Sequence, residues 1–385
     1  MFCVNCGTQL AGDERFCTKC GQPVVAPPPM GMQGMAAGFR GQPMYQRPYY
    51  GRRLPPQKGT LDSLIDNVNR MTGGTEHVEL KMKDLVENVF RKHTKQEAEQ
   101  IFIYGTAATT PPEEQISTDW PHPWLYSRVF LVLAVTMLGL LFMNQMLGNK
   151  LAAPGVIFIG ALAVPFSALI FFFEVNAPRN ISIFETTQVF FIGGVMSLIM
   201  TMFVYGFIGF DKLNNTSTFL VGLAEEVGKV MVIAYFLRGQ EKKYILNGLL
   251  IGAAVGAGFA VFETAGYIAK SNSLTVLYLR GALALGGHVA WAGLTGAALA
   301  MVKGDKPLRI DHLMDMRFLK FLAVSIVLHG LWDMPLLSHI MPLITQVGLM
   351  AVVWIFLLVM LHAGLRQIST IQQQAKAAGG AQTLP

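Results

Sequence analysis

Charge is scarce in this sequence. Asp, Glu, Lys and Arg make up 14% of its 385 residues, against about 25% in an ordinary soluble chain, which excludes a single water-soluble domain. Cysteine is absent after residue 20, so the remainder has no disulfide framework. No basic segment followed by an apolar core opens the chain, and no secretory signal is expected. The His-Glu-x-x-His helix of the better-known zinc proteases is missing, and no convincing internal repeat is visible. Before about residue 125 the apolar residues do not gather into runs of about 20, the length that crosses roughly 30 Å of hydrocarbon.

After that point they do. The sequence is 52% hydrophobic with a mean hydropathy of +0.43, and it reads as an all-α polytopic membrane protein. Eight apolar spans are expected, at 127–147, 155–174, 187–209, 217–237, 245–268, 279–302, 318–337 and 340–363. Upstream, residues 1–23 form a cysteine module and 24–59 a Pro/Gly-rich stretch expected to be a flexible linker. Residues 60–118 carry Leu61, Leu64, Ile65 and Val68, then Leu85, Val86, Val89 and Phe90, at helical spacing, which predicts a small cytosolic helical region. A short helix is expected from Lys95 to Tyr104. Trp120-Pro-His-Pro-Trp124 marks the membrane approach, residues 125–365 the membrane domain, and 366–385 a tail expected to be disordered.

An even number of spans puts both ends on one side. With the N-terminus in the cytosol, the cytosolic loops hold Arg179, Arg238, Lys242, Lys243, Lys303, Lys306, Arg309 and Arg317, followed by Arg366. The opposite loops hold Lys150, Lys212 and Lys270, with Arg280 at their margin. That asymmetry predicts cytoplasmic N- and C-termini and accounts for a net charge of +6 without nucleic acid. The cysteine module is itself balanced, with Asp13 and Glu14 beside Arg15 and Lys19.

Cys3-Val-Asn-Cys6-Gly7 and Cys17-Thr-Lys-Cys20-Gly21 are matching knuckles. Each aims two thiolates at one point, so together they supply a closed tetrahedral site for a structural Zn²⁺ in a reducing compartment. A redox role would need one such motif beside a βαβ unit, which is lacking. The fragment resembles the zinc-ribbon modules of many bacterial membrane proteins.

Polar residues inside the spans carry the functional signal, because a charged group at bilayer centre costs about 2.5–3.5 kcal/mol on insertion scales. The fourth span contains Glu225, Glu226 and Lys229, the fifth Glu263, the sixth His288, and the seventh His329 and Asp333. At about 1.5 Å per residue, Glu225, His288 and His329 lie roughly 3 Å outward of their span midpoints, and Glu263 and Asp333 roughly 9 Å outward. One slab collects them all, which predicts a single buried polar site. Lys229, three and four residues beyond the two acids, can neutralise part of the pair. Asp333 follows His329 by one turn and can orient it. The Gly248, Gly252, Gly256 ridge is read as helix packing.

At these residues the chain resembles the PrsW family of intramembrane proteases, distant relatives of the CAAX prenyl proteases and Abi-type membrane proteins. The likeness rests on Glu225-Glu226-x-x-Lys229, Phe259-x-x-x-Glu263, His288, and His329-x-x-x-Asp333, and spans roughly 125–365. It implies a bacterial cell membrane, catalytic roles for Glu225, Glu226, Lys229, Glu263, His288, His329 and Asp333, and hydrolysis of membrane-embedded or membrane-proximal proteins, an anti-sigma-factor-like protein among them. Two mechanisms are open: a catalytic zinc held by His288, His329 and a carboxylate, or water activated directly by Glu225 or Glu226 with no metal. The competing class is a proton-coupled transporter or a scaffold, for which discontinuous helices or inverted repeats would speak.

The zinc reading is tested on the first 25 residues, expected to bind one equivalent through Cys3, Cys6, Cys17 and Cys20. Metal analysis giving less than about half an equivalent would refute it.

Overall fold

Carbonyl oxygens facing glycines decide how the centre of this molecule packs. In the computed structural model, which describes residues 59–209, 214–271, 274–340 and 342–381, the helix Ile245–Ser271 lies against His288–Lys303. The expected glycine ridge forms the seam. A Cβ at Gly248, Gly252 or Gly256 would strike the backbone carbonyls of Gly296, Ala292 and His288 in turn. Small residues therefore bring these two backbones together where any larger side chain would hold them apart.

In chain order the helices are α1 (Thr60–Met71), α2 (Asp84–Glu87), α3 (Lys95–Phe102), α4 (Leu125–Leu141), α5 (Ala153–Glu174), α6 (Ile183–Gln188), α7 (Gly194–Ile208), α8 (Ser217–Phe236), α9 (Ile245–Ser271), α10 (Leu274–Ala282), α11 (His288–Lys303), α12 (Ile310–Leu313), α13 (Met316–Trp332), α14 (Pro335–Ile340) and α15 (Pro342–Ala381). No strand occurs among the described residues. The apolar stretch of α9 is 94% buried inside the protein and that of α4 only 6%, so α9 is the core of the bundle and α4 its periphery.

Among the described residues, six helical segments are long and apolar enough to cross a membrane: Leu125–Met146, Lys150–Glu174, Ile183–Ile208, Ile245–Ser271, Ala284–Lys303 and Leu343–Ala378. The count of eight is not confirmed. The two remaining expected spans are helical, as α8 and α13. However, α8 carries Glu225, Glu226 and Lys229 in its 20 residues, and α13 has only 17 residues. The sixth expected span is also broken. Between α10 and α11 the α-helix gives way at residues 283–287 to a single 3-10 turn, Ala284–Gly286, and Gly287 with an extended backbone precedes His288, the first residue of α11.

The region 60–118 is helical as expected, with Thr94 and Glu97 forming a reciprocal cap at the start of α3. The expected disordered tail is instead the end of α15, helical to Ala381. Its polar residues have partners. Arg366 donates to Asn69 Oδ1 at 3.2 Å, and Gln372 donates to the carbonyls of Glu113 and Ile116 at 2.8 and 2.9 Å. The N-terminal helices and the end of α15 are thus on one side of the bundle. Glu174, expected near a wet span end, accepts the N–H groups of Trp124, Leu125 and Tyr126 at 2.8–2.9 Å. It caps the otherwise unpaired first turn of α4. The zinc-ribbon and linker readings fall on residues 1–58, outside those described.

Two expectations follow. Gly252→Leu should unfold the membrane domain at markedly lower temperature, since overpacking costs about 1–3 kcal/mol or more. Gly206→Ala, with no atom near its added Cβ, should not, as checked by thermal unfolding in detergent. Glu113, paired with Lys243 and accepting from Tyr244 Oη at 3.1 Å, has its carboxyl held below the ordinary 4.5 chiefly by the Lys243 hydrogen bond. Its contribution to docking of residues 60–118 is present above pH 4.5 and is lost as pH falls through the lowered value. Limited proteolysis of that region should accelerate there, and Glu113→Gln should abolish the pH dependence.

Candidate active site

Four helices, α8, α9, α11 and α13, bring the seven predicted residues together. Lys229, fully buried, lies at the centre. Its Nζ is 2.7 Å from Glu226 Oε1, 2.9 Å from His288 Nδ1 and 3.7 Å from Glu225 Oε2. The ring of Phe259 faces the same ammonium at 4.2 Å, which gives the aromatic residue of the Phe-x-x-x-Glu motif a cation–π role.

An ammonium only donates, so His288 Nδ1 must accept and its Nε2–H must point to Glu263 Oε2, 2.9 Å away. Glu263 is in turn held by Arg280, whose Nε also donates to Thr264 Oγ1 at 3.2 Å. The second imidazole repeats the pattern. His329 Nδ1 is 3.0 Å from Glu226 Oε1, and its Nε2 is 3.3 Å from Asp333 Oδ2 and 3.6 Å from Glu225 Oε2. Asp333 therefore faces Nε2, and it is Glu226 that orients His329 through Nδ1. Trp291 stacks on His329 at 4.4 Å and fixes the ring plane.

Glu225 Oε2 and Glu226 Oε2 are buried with no hydrogen-bond partner. The first lies 3.9 Å from His288 Nδ1 as well as 3.6 Å from His329 Nε2. These three residues form a buried trio with one ligand atom each, all within 4.8 Å of one another. Bond lengths of about 2.0–2.1 Å at a tetrahedral zinc put neighbouring ligand atoms about 3.3 Å apart, so a slight contraction would close the trio on an ion. Each imidazole has a carboxylate on its other nitrogen, the arrangement that orients metal-bound histidines. Charge points the same way. Four carboxylates (Glu225, Glu226, Glu263, Asp333) meet two fixed cations (Lys229, Arg280), leaving two negative charges that a divalent ion or two protons must balance in a buried site.

Two of the trio, Glu225 and His288, line a cavity of about 390 Å³ with Tyr205, Tyr267, Arg280, Trp332 and Asp333 also in its wall, and His329 lies buried behind it. Tyr205 Oη donates to Glu225 Oε1 at 3.1 Å. Tyr205 and Arg280 escaped the sequence reading. Arg280 had been counted with the outer loops, although an arginine in an apolar span was itself the signal; a lone tyrosine near a span end gives none. The N-terminus of α11 also reaches the site, an end at which helix backbone N–H groups have no partner within the helix. Only the break at 283–287 creates it.

Lys229→Met should destabilise the membrane domain by about 3–5 kcal/mol, because it leaves buried carboxylates without their cation. Thermal unfolding of the variant beside Glu226→Gln/Lys229→Met, expected to regain part of the loss, checks this.

No curated protein and no solved structure matches the chain. Family models do. The match takes in α6 to the first half of α15 and all seven residues, and leaves out α4 and α5, which the sequence resemblance had included. Residues 182–361 match the PrsW family intramembrane metalloproteases, which indicates a membrane peptidase, and residues 2–24 match a zinc-ribbon domain.

Proposed function

We propose that the chain hydrolyses peptide bonds of membrane-embedded or membrane-proximal proteins in the cavity lined by Glu225 and His288, with His329 behind them. The observation that carries the reading is the unpartnered Glu225 Oε2 between the two imidazole nitrogens that face it. Glu225, His288 and His329 would hold a divalent metal, and such an ion lowers the pKa of bound water towards about 7 and polarises a carbonyl. For it to bind, the Lys229 ammonium must give up His288 Nδ1 and rest on Glu226 alone.

The remaining roles belong to the chain's own groups. Glu263 and Glu226 hold the imidazoles in the tautomers that present Nδ1 of His288 and Nε2 of His329 to the site. Asp333, half-exposed at the cavity edge, can take a proton from water and return it to the leaving amine. Tyr205 donates to Glu225 and can donate equally to a carbonyl oxygen. The broken segment before α11 lets an extended substrate backbone approach, since a helical peptide bond cannot present its carbonyl. An anti-sigma-factor-like membrane protein is the first substrate to try, on the resemblance alone. The contact between residues 60–118 and α15, with the excess of Lys and Arg in loops on that side, supports cytoplasmic termini, and a bacterial cell membrane rests on the resemblance alone.

Glu225→Gln should lower cleavage of a membrane substrate at least about 100-fold with insertion and yield unchanged. The metal is tested in a variant lacking Cys3, Cys6, Cys17 and Cys20. It should keep one metal equivalent, and adding His329→Ala should remove both metal and cleavage. A cysteine-free protein that cleaves without metal would establish direct activation of water by glutamate instead. One that neither binds metal nor cleaves would return the case to a transporter or scaffold, for which the broken α10–α11 span is the feature in common.

A further inference from the structure

A second cavity of about 530 Å³ lies between α2 and the helices α4, α5 and α15, walled by Leu85, Val86, Phe171, Leu285 and Trp354 among others. Its polar wall residues are all turned away. Ser167 Oγ donates to the Ala163 carbonyl at 2.6 Å, Ser127 Oγ to that of Trp124 at 2.6 Å, and Tyr126 Oη to that of Leu85 at 3.4 Å. The interior offers an occupant hydrocarbon and nothing else.

Above the cavity the chain is built for a bilayer surface. Met82, Val86 and Phe90 follow one another at four-residue spacing and are exposed, Phe90 at 90%. Lys81, Lys83, Arg91 and Lys92 flank them, and residues 79–95 hold five Lys or Arg against three acids. Arg128 in the first turn of α4 donates to the carbonyls of Val89 and Arg91, both at 3.0 Å, which fixes the basic stretch over the helix that buries least of its apolar length inside the protein. Exposed apolar residues ringed by cations mark an interfacial segment that attracts anionic lipid.

We propose that this groove is the binding site of one anionic phospholipid, with one of its two acyl chains in the cavity under α2 and its headgroup on Lys81, Lys83, Arg91 and Lys92. A transmembrane substrate helix is the poorer occupant. One turn of a helix about 10 Å across fills roughly 420 Å³, so the cavity would take little more than a single turn, whereas its volume lies within the range of about 300–1,000 Å³ typical of small-ligand sites. The far wall gives the site meaning. Leu285 belongs to the break before His288, and Trp354 Nε1 donates to the Leu285 carbonyl at 3.0 Å, so the lipid packs against the back of the segment whose front enters the candidate active site.

The test uses the full chain in phosphatidylcholine vesicles carrying a photoactivatable acyl chain on either phosphatidylglycerol or phosphatidylcholine, with adducts mapped by mass spectrometry. Phosphatidylglycerol should label peptides containing Leu85 and Phe171 in preference to the exposed residues Met202, Phe203 and Phe207 of α7. Lys83→Ala, a surface change, should lower that labelling about fivefold, the effect of one cation near an anionic surface. Ser167→Trp should fill the groove and abolish it while α7 labelling persists. Equal labelling by the two headgroups, no preference over α7, or labelling unchanged in both variants would overturn the proposal. Displacement of the label by a transmembrane substrate peptide would overturn it in favour of a substrate groove.

Discussion

The ammonium of Lys229 is the constraint around which the membrane domain is arranged. A buried cation of this kind is stable only when acceptors surround it, and its acceptors come from α8 itself and from α11, with the Phe259 face of α9 beneath. Glu226 then binds His329 and so draws in α13. One lysine thereby ties four helices at one depth and, because it can only donate, sets the tautomer of His288 and through it the partner of Glu263. The same residue occupies part of the space that a metal ion would claim, so an ion bound there would have to compete with this fixed positive charge.

Much of the site was legible because hydrocarbon is intolerant. Glu225, Glu226, Lys229, Glu263, His288, His329 and Asp333 stand out in apolar sequence, and the 1.5 Å rise of a helix converts their positions into depth. What that arithmetic could not supply was rotation about the helix axes. It placed Asp333 beside His329 yet could not tell which nitrogen it would face, and Glu226 turned out to hold Nδ1. The glycine ridge was legible for the same reason that it works, since four-residue spacing is a face.

Elsewhere local chemistry hid the outcome. The break at 283–287 lies in a run of Ala, Leu and Gly that reads as continuous helix, and only the packing of Trp354 against the Leu285 carbonyl reveals why it stays open. The end of α15 looked like a tail because Gln, Ala, Lys and Gly dominate it, although Ile368 is buried in the core and Ile371 packs against it. Its order comes from side-chain amides and a guanidinium meeting Asn69, Glu113 and Ile116, partners some 250–300 residues away in sequence that no local pattern announces. The span count is not confirmed at α8 because the charges that mark the candidate site there also make it a poor hydrocarbon helix.

The seam between α9 and α11 also governs how the molecule can move. Glycines set against carbonyl oxygens fix the facing of the two helices, because turning α9 about its axis by one residue would bring Ala253 or Ala257 towards those oxygens. The two helices therefore travel as a rigid pair that keeps Glu263 and His288 at a constant separation. Glu225, Glu226 and His329 ride on α8 and α13, which have their own close approach where Gly222 meets the Ile326 carbonyl and the backbone of Gly330. The candidate site is thus divided between two stiff halves, and the Lys229 to His288 hydrogen bond crosses the line between them. The Ser325 hydroxyl crosses the same line, meeting Thr295 Oγ1 at 3.1 Å and the Trp291 carbonyl at 3.2 Å, so parting the halves to admit a peptide would stretch these bonds together.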